Sequence, residues 1–182
     1  MEEKDQAIEE EVKLEVLTDA NETARRKRIF DEYVASEEYQ SKLMKRIQIN
    51  DACYRYPEAR KQMYESFKKT DTIDEMTESC VSFIELFGFT FDPRPQANPH
   101  DLPFIPYDFQ RESIKWLIEH IETGKDGLIE KSRDMGISWT IFVYVPVWYW
   151  LFRDGTNILL GSYKEALVDN KSKDSLFGMI DY

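Results

Sequence analysis

The octapeptide Lys131-Ser132-Arg133-Asp134-Met135-Gly136-Ile137-Ser138 gathers two cations, a glycine and two hydroxyls within one turn's length. Placed between a strand and a helix, such a turn points backbone N–H groups and the positive end of the helix dipole at an anion. The standard phosphate loop is spelled GxxxxGK[ST]. Gly136 and Ser138 fit that spelling, but Ile137 stands where the lysine belongs and Lys131 where the first glycine belongs. Isoleucine cannot neutralise a phosphate, so the cation must come from elsewhere in the loop. The Lys131 side chain is long enough to lie back across the turn toward β- and γ-phosphates. Arg133 adds a second charge, and the Ser138 hydroxyl suits a Mg²⁺ ligand. An ordinary strand–turn–helix joint with an exposed lysine and arginine has the same spelling, and the octapeptide alone leaves both readings open.

A second residue type shifts the balance. Gln110 stands 21 residues before Lys131, in Phe104-Ile105-Pro106-Tyr107-Asp108-Phe109-Gln110, at the start of a helical pattern. A primary amide can donate to and accept from an adenine edge at once, which neither a carboxylate nor a hydroxyl can do. Alone, Gln110 is an ordinary surface glutamine. Ahead of a phosphate loop it becomes a base reader. Metal chemistry of another kind has little to work with, because Cys53 and Cys80 are the only cysteines and do not pair with His100 or His120 at zinc-ligand spacing.

The elements that would position these residues are read from periodicity and punctuation. Five of the seven prolines (Pro93, Pro95, Pro99, Pro103, Pro106) mark residues 92–106 as a linker. Before it, residues 1–91 carry apolar residues at helical spacing (Tyr39, Leu43, Met44 and Ile47; Cys80, Ile84 and Phe87), with Pro57 separating two helices, and form a helical arm or subdomain. After it, six of the seven glycines fall between short apolar segments, the punctuation of alternating strands and helices. Asp108 caps a helix whose inner face is Ile114, Leu117, Ile118 and Ile121 and which ends at Gly124. Gly127–Ile129 and Asn157–Gly161 are expected as strands, 138–153 as a buried helix kinked at Pro146, and 162–180 as mostly helical.

Charge limits what this surface can hold. The 182 residues carry 24 Lys and Arg against 35 Asp and Glu, a net charge of −11, and residues 1–20 alone hold eight acids against two bases. No basic patch draws the chain onto a nucleic-acid backbone unaided, so DNA contact would need surface supplied elsewhere or on assembly. The acidic start does not spell a signal peptide, and the longest apolar run, 141–152, is interrupted by Pro146 and too short for a membrane span. A cytoplasmic protein without membrane contact is expected.

From Cys80 to Tyr182, the segments CVSFIELFGFTFDPR, LPFIPYDFQRE, LIEKSRDMGISW and LLGSYKEALVDNKSKDSLFGMIDY resemble the N-terminal ATPase region of the large terminase subunit of tailed bacteriophages. Members of that family often place the phosphate lysine at the beginning of the loop, as Lys131 is here. The resemblance implies an α/β fold, a helical arm followed by the first half of a Rossmann-like three-layer αβα P-loop NTPase domain over 107–182. It implies ATP and Mg²⁺ as cofactors, with Gln110 reading adenine. Lys131 and Arg133 would act on the phosphates, Ser132, Gly136 and Ile137 would complete the loop, and Ser138 would ligate the metal. It also implies double-stranded phage DNA as the translocated substrate. Partners would be a portal protein, a small terminase subunit and further copies in a ring, at the procapsid portal vertex in the host cytoplasm.

One expected motif is missing. ATP hydrolysis of this class needs four apolar residues followed by Asp-Glu to hold Mg²⁺ and polarise water. The nearest strings, Ala166-Leu167-Val168-Asp169 and Met179-Ile180-Asp181, are poor matches, and no acidic cluster suits the family's C-terminal two-metal nuclease. The resemblance thus implies the front piece of a longer ATPase, catalytically silent by itself. A helicase-like translocase shares the glutamine and the loop. A non-enzymatic assembly module with a degenerate loop is the other alternative.

Overall fold

The structure, a computed structural model, describes residues 24–25, 27–91, 101–131, 135–172 and 175–180. Two compact units divide the chain, 1–44 and 45–182. In the first, Tyr33 and Tyr39 meet edge to face with ring centroids 5.4 Å apart, and the Gln40 side-chain amide donates to the Val34 carbonyl.

The candidate residues belong to the second unit. Helix α1 (Glu37–Arg55) gives way to α2 (Pro57–Lys68) where Tyr56 caps and Pro57 opens the new helix, the position at which a missing N–H costs nothing. Helix α3 (Ile73–Phe87) starts with a reciprocal cap: the Thr72 side chain accepts Glu75 N–H at 3.2 Å, and Glu75 Oε2 accepts Thr72 N–H at 3.0 Å and Asp71 N–H at 2.8 Å. These backbone donors, Asp71 first, hold the Glu75 carboxyl below its ordinary value of 4.5. A lowered carboxylate contributes stability above its unfolded pKa and loses it as pH falls through the folded one. Glu75→Gln is therefore expected to flatten the loss of melting temperature on acidification below pH 4.5, checked by thermal melts of both proteins from neutral pH downward.

Strands β1 (Phe89–Phe91) and β2 (Asp101–Pro103) pair antiparallel, Phe89 opposite Pro103. Helix α4 (Asp108–Thr123) follows. Its N-cap is Tyr107, and Asp108 is the first helical residue. It ends where expected, at Gly124 in the left-handed conformation with φ +62°. Helices α3 and α4 share the core through Cys80, Ile84, Ile114 and Ile118, each fully buried. Arg111 reaches Glu85 at 3.0 Å and Glu78 at 3.2 Å, and Lys115 reaches Asp74 at 2.7 Å, holding the pair in register.

Ahead of Pro146 the helix changes type. Trp139–Tyr144 is a π-helix, in which Val145 N–H bonds to the Thr140 carbonyl five residues back, and α5 (Val145–Phe152) restarts with Pro146 in its first turn. Proline has no N–H to continue the α ladder, and the wider turn re-registers the chain ahead of it. Helices α6 (Glu165–Val168) and α7 (Leu176–Ile180) are all the helix among the described residues of 162–180, less than expected.

The three-layer αβα fold does not form. Among the described residues the only sheet is the β1–β2 hairpin, antiparallel and outside the segments expected to build a parallel sheet. Gly127–Ile129 and Asn157–Gly161 make no strand pairing, and their side chains reach no core: Leu128 is 92% and Leu159 97% exposed. A strand exists only by pairing, and no described neighbour supplies one. The core is instead helix on helix. No helix of the described residues is long and apolar enough to cross a membrane.

Candidate functional site

Gln110 occupies the first turn of α4, and its side chain is 2% exposed. Its Oε1 accepts Tyr107 N–H at 2.9 Å, which satisfies a donor the helix start would otherwise leave open. Its Nε2 donates to the Met135 carbonyl at 2.7 Å. The glutamine and the loop, separate in sequence, therefore meet at one point.

Gly136 completes that contact. Its φ of +68° lies in the region that disfavours any side chain, and a Cβ built there would come within 2.5 Å of Gln110 Nε2 and 3.7 Å of the Phe104 ring. The helix then begins at Ile137. Thr140 N–H and Thr140 Oγ1 both donate to the Gly136 carbonyl, at 3.2 and 3.3 Å. Thr140 is fully buried. Periodicity did not single it out, although a threonine four residues after a glycine can make this back-bond.

The remaining candidates are distributed as follows. Ile137 is 4% exposed and packs inward, so the residue in the lysine position of the standard loop serves the core. Ser138 is half-buried with helical backbone, φ −62° and ψ −42°. Lys131 is exposed at the near end of the loop. Ser132 and Arg133 lie outside the described residues, as do His100 and Asp181. Asp169, in the nearer of the two strings resembling an acidic motif, bonds the Lys171 ammonium at 2.7 Å, and the Lys171 side chain and backbone hold its carboxyl below the usual range. That carboxylate follows a four-residue helix, α6, and no sheet strand.

The π-helix behind the loop is anchored at its far end. The Tyr144 hydroxyl accepts Phe89 N–H and donates to the Phe89 carbonyl, tying β1 to the π-helix. Burial pushes this phenol up to about 12, so it remains a neutral donor. Phe104 and Tyr144 rings lie 5.6 Å apart, closing the space between the hairpin and the loop.

Comparison of the chain with protein-family models, curated proteins and solved structures gives no match. What the site can hold is decided by its own geometry. The helix starts at 137, with Ser138 half-buried in its first turn and Lys131 exposed ahead of it in sequence. The Gln110 amide, expected to face an adenine edge, is buried with both its oxygen and its nitrogen bonded within the protein.

Proposed function

We propose that this chain binds ATP through the loop at 131–138, as part of the large terminase subunit of a tailed phage, the motor that drives double-stranded DNA into a procapsid. The observation that carries the proposal is Gly136, in the left-handed conformation with φ +68° directly ahead of the helix start at 137. The strand expected ahead of the loop makes no pairing among the described residues, so the proposal rests on the loop and the helix start alone. Lys131 and Arg133 would hold the phosphates, the first-turn N–H groups would line them, and Ser138 would ligate Mg²⁺. The portal protein, the small subunit and further copies in a ring are the partners the motor would need, at the portal vertex in the host cytoplasm. A net charge of −11 fits a chain that meets DNA only as one part of such an assembly.

A second reading, an assembly module without nucleotide chemistry, is favoured by the exposed apolar residues Leu128, Leu159 and Trp150, the last 70% exposed. Calorimetric titration of the whole chain with Mg²⁺ and ATP separates the two. The ATP proposal expects saturable binding with a dissociation constant on the order of 1 μM to 1 mM, the range in which enzymes commonly meet their substrates. Heat of dilution alone up to saturating nucleotide favours the assembly module.

A further inference from the structure

We infer that Gln110 is a positioning residue, a tether that sets the loop at 135–138, and that it does not read the nucleotide base. The inference deepens the proposed ATP site and rests on it. An amide that recognises a base edge must present its oxygen and its N–H side by side. In Gln110 both are spent within the protein, the oxygen on Tyr107 N–H and the N–H on the Met135 carbonyl, with 2% of the residue left exposed. The loop is shaped to receive this amide: at Gly136 a Cβ would fall 2.5 Å from Nε2. Glycine suits the position through its positive φ, and any Cβ there would press on the end of the Gln110 side chain.

The consequence lies one residue further on. Met135 and Gly136 set the direction in which the helix leaves the turn, and with it where the N–H groups of 137 and 138 and the Ser138 hydroxyl point. Gln110 acts on a phosphate through this turn, so its loss affects every nucleoside triphosphate alike. Selection of the base falls to residues other than Gln110.

The test uses Gln110→Glu. Ionised glutamate keeps the acceptor for Tyr107 N–H and has no donor for the Met135 carbonyl, whereas a protonated one would donate its O–H there, so exchange is compared at alkaline pH, where the carboxylate is charged. Amide exchange of the whole chain without nucleotide is expected to accelerate about tenfold over 135–144, the worth of one buried hydrogen bond, while the amides at 114–118 in α4 keep their rates. ATP and GTP binding should weaken by the same factor. A change in the ratio of ATP to GTP affinity overturns the inference, and so does unchanged exchange over 135–144. Should the wild-type chain bind neither nucleotide, the proposed site fails while the exchange measurement still decides the tether. If Gln110→Glu does not fold, Gln110→Met tests the contact instead, because it keeps the length of the side chain and has no donor. The same acceleration is expected, and its absence contradicts the tether.

Discussion

Trp148→Ala is expected to destabilise the fold by about 3–5 kcal/mol, the range for removing a large aromatic side chain from a packed core. Trp148 is the largest fully buried side chain. Its indole N–H donates to Ser79 Oγ at 3.1 Å, linking α5 to α3. Its ring meets Tyr149 edge to face at 5.2 Å, and the Arg153 guanidinium lies 5.5 Å from its centroid. Arg153 in turn donates to the Thr70 hydroxyl at 2.8 Å, so the end of α5 is held to the segment ahead of α3 through the same cluster. Alanine would leave a cavity between the two helices. Trp148→Phe keeps most of the volume and loses only the donor, with an expected cost of about 1–2 kcal/mol. Urea denaturation of the three proteins measures the difference. A loss below about 1 kcal/mol for the alanine variant would show that α5 does not pack on α3 as described.

The second large effect is on binding. In the proposed site, Lys131→Ala would remove a charge-assisted phosphate contact worth about 1.5–3 kcal/mol, so ATP affinity should fall about ten- to a hundredfold. Stability should barely change, because Lys131 is exposed. Ile137→Ala reverses the pattern. The side chain is 4% exposed, so truncation should cost about 2–4 kcal/mol of stability and leave the affinity of the folded protein close to wild type. Titration and denaturation of both variants give the split. Equal losses of affinity would remove Lys131 from the site.

Helices with strong punctuation were legible in the sequence. Gly124 ends α4 because a left-handed residue is needed there, and Pro57 opens α2 because its missing N–H is no loss at that position. The strands were not legible. Gly-bounded apolar runs such as Gly127–Ile129 and Asn157–Gly161 look alike whether they are buried strands or unpaired extended chain, since pairing depends on residues far away in sequence. The hairpin that does form uses Phe89–Phe91 and Asp101–Pro103, and the proline-rich spelling around the second strand hid it. At the site, Gln110 and Gly136 lie side by side, and the amide expected to face a base is bonded within the protein. Its partner there is the Met135 backbone carbonyl, and a carbonyl carries no signature in a sequence.

The central claim is that a nucleotide sits at the loop and helix start around Gly136. Amide exchange of the whole chain with and without Mg²⁺ and ATP tests it most directly. The expected result is slowed exchange confined to 131–144, greatest at 136–138, with Asn157–Gly161 unchanged. Nucleotide binding without slowing at 136–138, or slowing only elsewhere in the chain, would contradict it.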